Sequence, residues 1–197
     1  MFTGIIHAVG RVAAVKPAAR SAQVEIDAGP LDLGDLAVGD SIACNGVCLT
    51  VVRLSAAGFT VDISGETIGT TAGFGAGARV NLEKSLRLAD RLGGHLVSGH
   101  VDGCGEVTAI DPVEGSREVM IRFPTQLGRY IARKGSIAVN GVSLTVNAVT
   151  GGAFSVNLIP HTLAATNLAD LEPGDRVNLE IDLVARYVES MLSANRA

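Results

Sequence analysis

The sequence predicts an all-β protein built from two copies of one small antiparallel barrel, with a helix at the C-terminal end. Three observations carry this. The stretch 39–51, GDSIACNGVCLTV, returns at 134–146 as KGSIAVNGVSLTV, a constant offset of 95 residues from Gly46 to Gly141. Each copy holds an Asn-Gly pair between two runs of alternating apolar residues, the strongest short-range hairpin signal, because both residues tolerate the positive φ of a type I′ turn. The rest of each half is short Val/Ile/Thr-rich segments punctuated by the chain's 24 glycines, as in a small barrel.

In chain order the repeat begins near residue 2. Thr3-Gly4 corresponds to Ser98-Gly99, Gly10 to Gly105, and Val24-Glu25-Ile26 to Val119-Met120-Ile121. The hairpins follow, and their geometry sets two faces. A two-residue loop at 45–46 opposes Ser41 to Thr50, Ile42 to Leu49, Ala43 to Cys48 and Cys44 to Val47. Because side chains alternate along a strand, Ile42, Cys44, Val47, Leu49 and Val51 share the core face. Ser41, Ala43, Cys48 and Thr50 share the other. In the second copy the core set is Ile137, Val139, Val142, Leu144 and Val146, and the small polar face carries Ser136, Ala138, Ser143 and Thr145. That face reads either as a solvated barrel exterior or as a ligand floor. Farther on, Val61-Asp62-Ile63 matches Val156-Asn157-Leu158, and Val80-Asn81-Leu82-Glu83 matches Val177-Asn178-Leu179-Glu180, two residues out of step. The expected domains are 1–94, 95–182 and 183–197.

Two segments read as helical. Residues 82–92 have Leu82, Leu86, Leu88 and Leu92 at helical spacing and end at Gly93-Gly94, predicting a linker helix. Residues 183–195 place Leu183, Val184, Tyr187, Val188, Met191 and Leu192 on one stripe. That stripe must cover either its own domain or copies of itself.

Composition narrows the function. The net charge of −4, and aromatics at only 4% with no Trp, argue against a nucleic-acid partner. The opening lacks the pattern of a signal peptide, and no apolar run approaches the length of a membrane span. Three cysteines at irregular spacing fit a reduced, cytoplasmic setting.

The duplication also acts as an internal control: a residue that differs between halves marks a candidate division of labour. Cys44 corresponds to Val139 and Cys104 to Val9, so both read as small core hydrophobes. Cys48 corresponds to Ser143 on the polar face. His100 corresponds to Ile5, Lys134 to Gly39, and Asp182 to Ser85. His100 reads as a core or capping histidine, or as a base titrating near neutrality. A zinc site of His95, His100 and Cys104 is disfavoured, since His95 and His100, five apart, would face opposite ways on a strand and Cys104 reads as core. The glycines at 73–77 lack the Lys-Ser/Thr of a phosphate loop.

Taken together, the opening MFTGII, the hairpins NGVCLT and NGVSLT, and the central GGHLVSGH resemble the riboflavin synthase alpha-chain family over essentially the whole chain. The resemblance implies two six-stranded Greek-key barrels in tandem and a C-terminal helix that forms a homotrimer. The implied reaction takes two molecules of 6,7-dimethyl-8-ribityllumazine. A four-carbon unit passes from one to the other, giving riboflavin and 5-amino-6-ribitylaminopyrimidinedione without metal or cofactor. It also admits association with lumazine synthase, which supplies the substrate.

The family's binding positions carry over onto Gly4, Ile5 and Ile6, Cys48, Leu49 and Thr50, and Asp62, Ile63, Ser64, Gly65, Glu66 and Thr67, grouped with the first barrel. With the second are grouped Gly99, His100 and Val101, Ser143, Leu144 and Thr145, and Asn157, Leu158, Ile159, Pro160, His161 and Thr162, with Lys134 beside them; Lys134, Asp62 and Asp182 are candidates to meet ribityl hydroxyls or developing charge. The candidate catalytic side chains are His100 as base for the lumazine 7-methyl proton, Cys48 or Ser41 assisting at C7 of the partner lumazine, and Ser143 and Thr145, with Thr50 or Thr145 hydrogen-bonding the pyrimidinedione edge. Two departures stand out. Asn140 sits where many members carry Asp. Ser64-Gly65-Glu66-Thr67 replaces a commoner Met-Pro-Glu-Thr, and this predicts a looser first rim, because glycine costs more entropy to order than proline. The alternatives are a non-catalytic lumazine or flavin carrier of the same fold, and a flavin reductase module. The latter's Arg-x-Tyr-Ser/Thr signature is missing.

Overall fold

The structure is a computed structural model that describes residues 1–194. The first half contains β1 (Ala8–Ala18), β2 (Ser21–Asp27), β3 (Ser41–Cys44), β4 (Val47–Leu54), β5 (Gly58–Ser64), the short helix α1 (Gly65–Thr70) and β6 (Arg79–Lys84). The second repeats it with β7 (Gly103–Val113), β8 (Ser116–Arg122), β9 (Ser136–Val139), β10 (Val142–Thr150), β11 (Ala153–Leu158), α2 (Pro160–Ala165) and β12 (Arg176–Ile181). The helix α3 (Leu183–Ala194) follows. The predicted end of this helix at Asn195, with the two residues after it, lies outside the described residues.

Each half closes into a six-stranded antiparallel barrel in the order β1-β2-β5-β4-β3-β6, and the second half has the same order shifted by six strands. The jump from β2 to β5 is the Greek-key crossover. Closure needs strong local twist, and bulges supply it at matching places: between Val12 and Ala14 and between Val107 and Ala109, and likewise on β4 and β10. The hairpin registers are the predicted ones, Ser41 opposite Thr50 and Ser136 opposite Thr145. The turns hold Asn45 at φ 48° and Asn140 at φ 46°, each followed by a glycine at positive φ.

Ile42, Cys44, Leu82 and Val51 are fully enclosed in the first core, and Val146, Phe154, Leu179 and Val177 in the second. Enclosing one such large aliphatic or aromatic side chain is worth about 1.5–3 kcal/mol. Truncating Leu82 or Ile42 to Ala should therefore cost about 2–5 kcal/mol.

The predicted linker helix does not form. Strand pairing takes its first turn, since Leu82 opposes both Ala8 and Cys44 and is buried. What remains is too short to nucleate a helix without an apolar face to bury, and Leu88 is fully exposed. The segment is instead held by a turn in which Asp90 Oδ2 accepts from Arg87 N, and by Leu86 N donating to Met1 O. The domain layout is therefore two barrels joined by an irregular connection. The α3 stripe is not covered by its own barrels: Val184, Tyr187, Val188, Met191 and Leu192 are each at least half exposed. The helix is tied down by its polar side, through Arg186 to Asp102 and Arg129 to Glu189.

Candidate active site

The two hairpin tips meet. A Cβ on Gly46 would come 2.7 Å from Gly141 N, and the reverse also holds, so nothing larger than glycine fits either tip. Five asparagines seal the contact. Asn81 Nδ2 donates to Asn140 O at 3.0 Å, and Asn178 Nδ2 donates to Asn45 O at 2.9 Å. Within each half the hairpin amide accepts from the last strand, Asn45 Oδ1 from Asn81 N and Asn140 Oδ1 from Asn178 N. Asn167 N donates to Asn81 Oδ1, and Ala72 N donates to Asn178 Oδ1. Asn140 is buried in this ladder, and its side-chain oxygen is spent on Asn178 N. It is therefore a joint between barrels rather than a group facing a cleft.

Two arms, residues 2–7 and 95–102, lie across this joint. They pair with each other through Phe2 N to Val97 O and Val97 N to Phe2 O. Each arm then docks on the opposite half. Ser143 N donates to Gly4 O at 2.9 Å, and Cys48 N donates to Gly99 O at 2.8 Å. Ile6 packs against the second core and Val101 against the first. Glycine is required at both docking points: φ is +77° at Gly4 and +80° at Gly99, and a Cβ would meet Ser143 Cβ at 2.5 Å or Cys48 Cβ at 2.6 Å.

This corrects the expected grouping. Gly4, Ile5 and Ile6 belong beside Ser143, and Gly99, His100 and Val101 beside Cys48. A repeat reports which segments are alike, but not which copy of a partner each one docks on. The small face of the hairpins is split by the same joint. Ala43 and Ala138 are buried with Phe2 and Val97, whereas Thr50 and Thr145 remain exposed and Cys48 and Ser143 are half-buried.

Around Cys48 a cleft of about 250 Å³ is bounded by Glu66 and Thr67 of α1 and by His100 and Val101 of the second arm. Ser64 caps α1, accepting from Thr67 N at 3.2 Å. Gly65 occupies the first helical position, where Pro160 stands in α2, and a Cβ there would come 2.8 Å from Arg20 O. Around Ser143 the neighbour is His95. Its Nδ1 lies 2.7 Å from Ser143 Oγ, and its Nε2 is buried without a hydrogen-bond partner. Burial pushes the His95 imidazole below the ordinary histidine range, partly offset by the Asp182 carboxylate. Gly94 permits this approach, since a Cβ would lie 2.8 Å from Ser143 Oγ.

The other predicted residues sort by exposure. Leu49, Ile63, Leu144 and Leu158 are core side chains and have only backbone atoms to offer a ligand. Asp62 lies on the exterior beside Gln23, and Asn157 beside Ser116. Asp182 Oδ1 accepts from Val184 N at the start of α3. Lys134 sits on an exposed turn at φ 66°, where the first half has Gly39 at 98°. It does not line the cleft at Cys48. Ser41 is half-buried opposite Thr50, while Ile159, Pro160 and His161 form an exposed rim. Cys44 is enclosed as expected. Cys104 is not core, because its Sγ is 3.4 Å from Thr70 O at the edge of the joint.

Sequence reasoning missed three site residues. His95 has no counterpart in the first half, so the repeat comparison passed over it as anything but a metal ligand. Glu83 and Glu180 hold the two arms, and the repeated Val-Asn-Leu-Glu was the available signal. Among the described residues, no three His, Cys, Asp or Glu side chains converge as a metal site would require. A larger cleft of about 520 Å³ lies beside the first arm, near Ile5, His7, Lys84 and Arg87. It contains none of the predicted catalytic side chains.

The lumazine binding domain model matches this chain twice, over residues 3–85 and 98–182. A riboflavin synthase of Photobacterium phosphoreum is 46% identical over 198 residues, covering 100% of this chain and 91% of that protein. The riboflavin synthase of Mycobacterium tuberculosis is 44% identical, covering 98% of each chain. That of Bacillus subtilis is 38% identical, covering 98% of this chain and 90% of that one. Among solved structures, LumP complexed with riboflavin superposes with a TM-score of 0.85 at 29% identity, covering 92% of this chain and 99% of that one. LumP complexed with 6,7-dimethyl-8-ribityllumazine gives 0.82 at 28%, covering 91% and 98%. Two matched barrels, a lumazine-binding domain in each half and this identity over the full chain place the protein in the riboflavin synthase family.

Proposed function

We propose that this protein is a riboflavin synthase that joins two molecules of 6,7-dimethyl-8-ribityllumazine by moving a four-carbon unit from one to the other. The observation that carries the reading is the crossed pair of half-sites. Each hairpin presents a thiol or hydroxyl beside an imidazole, Cys48 near His100 and Ser143 at His95, within one duplicated frame. A reaction between two identical molecules needs two similar seats. Holding both substrates converts a dilute encounter into an effectively intramolecular step.

In this reading the 7-methyl group of one lumazine is a carbon acid whose anion spreads over the ring. His100, exposed beside Cys48, takes that proton. Cys48 or Ser41, or Ser143 activated by His95, adds to or delivers water to C7 of the partner. His95 suits this because burial keeps it neutral and able to accept from the Ser143 hydroxyl. Thr50 and Thr145 and main-chain amides bind the pyrimidinedione edge. Glu66, Thr67, Thr162 and His161 meet the ribityl chain, and Lys134 and Asp182 act where charge develops. No metal or organic cofactor enters these steps. The uncovered α3 stripe supports assembly as a homotrimer, which would bring a first-barrel cleft of one subunit to a second-barrel cleft of its neighbour.

The test mixes chelator-dialysed protein with the lumazine and counts substrate consumed per riboflavin formed. Two consumed per product, without added metal or cofactor, is the expected result. The likeness to LumP favours one second reading, a flavin or lumazine carrier. Tight binding with no turnover would select it.

A further inference from the structure

Each barrel ends its last strand with a buried glutamate, and the two do the same work. On β12, Glu180 is 3% exposed. Its Oε1 accepts from Ser98 N at 2.7 Å and Ser98 Oγ at 2.6 Å, and its Oε2 from Gly99 N at 2.9 Å and His100 N at 3.1 Å. On β6, Glu83 is 2% exposed. Its Oε1 accepts from Thr3 N and Thr3 Oγ1, both at 2.7 Å, and its Oε2 from Gly4 N at 3.0 Å. Every contact is a donor aimed at a carboxylate oxygen, and such charge-assisted bonds are short and strong. The segments they grip are the arms that cross to the opposite hairpin, where Gly99 O receives Cys48 N and Gly4 O receives Ser143 N.

We infer that Glu180 and Glu83 are positioning residues. Each carboxylate fixes the height and rotation of the arm that its barrel lends to the other barrel's half-site, Glu180 setting His100 over Cys48 and Glu83 setting Ile5 beside Ser143. Two features argue that this is more than packing. A backbone already held at positive φ with no Cβ has no other side chain to orient it, so the carboxylate supplies the restraint that Gly99 and Gly4 lack. The four-donor pattern also admits only an acceptor pair. A glutamine at 180 would turn an amide NH₂ toward Gly99 N or Ser98 N, placing donor against donor. This inference rests on the proposed function for its catalytic consequence, but its geometric content can be read without turnover.

The experiment uses the full chain and compares Glu180→Gln with Glu83→Gln. Iodoacetamide labelling of native protein is followed cysteine by cysteine by peptide mass. Glu180→Gln should raise the rate at Cys48 roughly tenfold as the Gly99 arm lifts, leaving Cys44 unlabelled and Cys104 unchanged, because a local restraint frees a local segment. Glu83→Gln should leave Cys48 at the parental rate. On lumazine turnover, Glu180→Gln should lower kcat by roughly 10- to 100-fold with a smaller change in KM, the effect of misplacing a reacting group. If Glu180→Gln does not fold, Ser98→Ala removes one donor only, and roughly a threefold rise at Cys48 is then expected. Cys48 labelling unchanged in the folded variant overturns the inference. So does a parallel rise at Cys44, Cys48 and Cys104, which would mark general loosening. If the chain has no synthase turnover at all, the proposed function falls while the labelling pattern still decides the positioning role.

Discussion

The half-site at Cys48 and the half-site at Ser143 share a frame and differ in their reactive groups. Both have an Asn-Gly hairpin at the base, an exposed Thr on the hairpin's small face, and a crossed glycine arm gripped by a buried glutamate. At Cys48 the arm itself brings an exposed histidine, His100. At Ser143 the docked arm brings Ile5, and the histidine, His95, comes from the first residue of the other arm and is buried. The two halves thus share the parts that place backbone and differ in the histidine beside Cys48 and beside Ser143. In the proposed reaction this difference would give two like seats unequal chemistry.

Several substitutions would break or sharpen that comparison. The largest effect is expected at the crossed glycines. Gly99→Ala and Gly4→Ala each put a methyl on Cys48 or Ser143 at positive φ and should cost about 2–4 kcal/mol in denaturant unfolding, with near-complete loss of riboflavin formation. Equal losses would show that the two arms are equivalent as scaffold.

Next come the reactive groups. His100→Ala and Cys48→Ala should each lower kcat by roughly 10- to 100-fold or more, the range of a lost acid–base or nucleophilic partner. If both leave kcat unchanged, the roles assigned to the first half-site are wrong. His95→Gln tested beside them shows which half-site carries the harder proton transfer.

The asparagine joint should respond symmetrically. Asn81→Ala strands Asn140 O and Asn167 N, and Asn178→Ala strands Asn45 O and Ala72 N. Each should cost about 1–3 kcal/mol by chemical denaturation, because hydrogen-bonding partners in the joint are left unpaired. A difference well beyond that range between the two would break the two-fold equivalence.

Acid titration gives a smaller effect with a definite sign. Burial holds His95 below its ordinary value of 6.5, so near that pH the unfolded chain binds more protons than the folded one. The stability this histidine allows is complete above 6.5 and falls as pH drops through the window beneath. His7, lowered by burial and by Lys84, adds to the same slope. His95→Gln should flatten the slope of unfolding free energy between pH 7.5 and 5.5, and an unchanged slope would remove His95 from this role.

The smallest contrast lies at the rims. Amides of α1, which begins at Gly65, should exchange with deuterium faster than those of α2, which begins at Pro160. Equal exchange would count against the looser first rim.

The hairpins, their register, the split of Ile42 from Cys48 onto opposite faces and the enclosed Cys44 were legible in the sequence, because a two-residue turn and a period of two leave no freedom. The run at 82–92 was misread because its leucines fit a helix locally, while pairing of Leu82 with Ala8 is a long-range event that no local pattern reports. His95 and the arm-holding glutamates were passed over for a related reason. Their partners lie 48, 80 and 82 residues away. Cys104 read as core by analogy with Val9, yet it sits where the two barrels touch, a surface that one repeat considered alone does not possess.

By itself the sequence determined that there are two barrels, how each hairpin folds and which faces carry hydroxyls and thiols, since turn chemistry and side-chain alternation act over a few residues. Only the tertiary structure decided that each arm crosses to the other barrel, that Asn140 is a joint, and that His95 meets Ser143. Those outcomes depend on how two nearly identical surfaces pack against each other, and two like copies carry no local mark saying which segment docks on which.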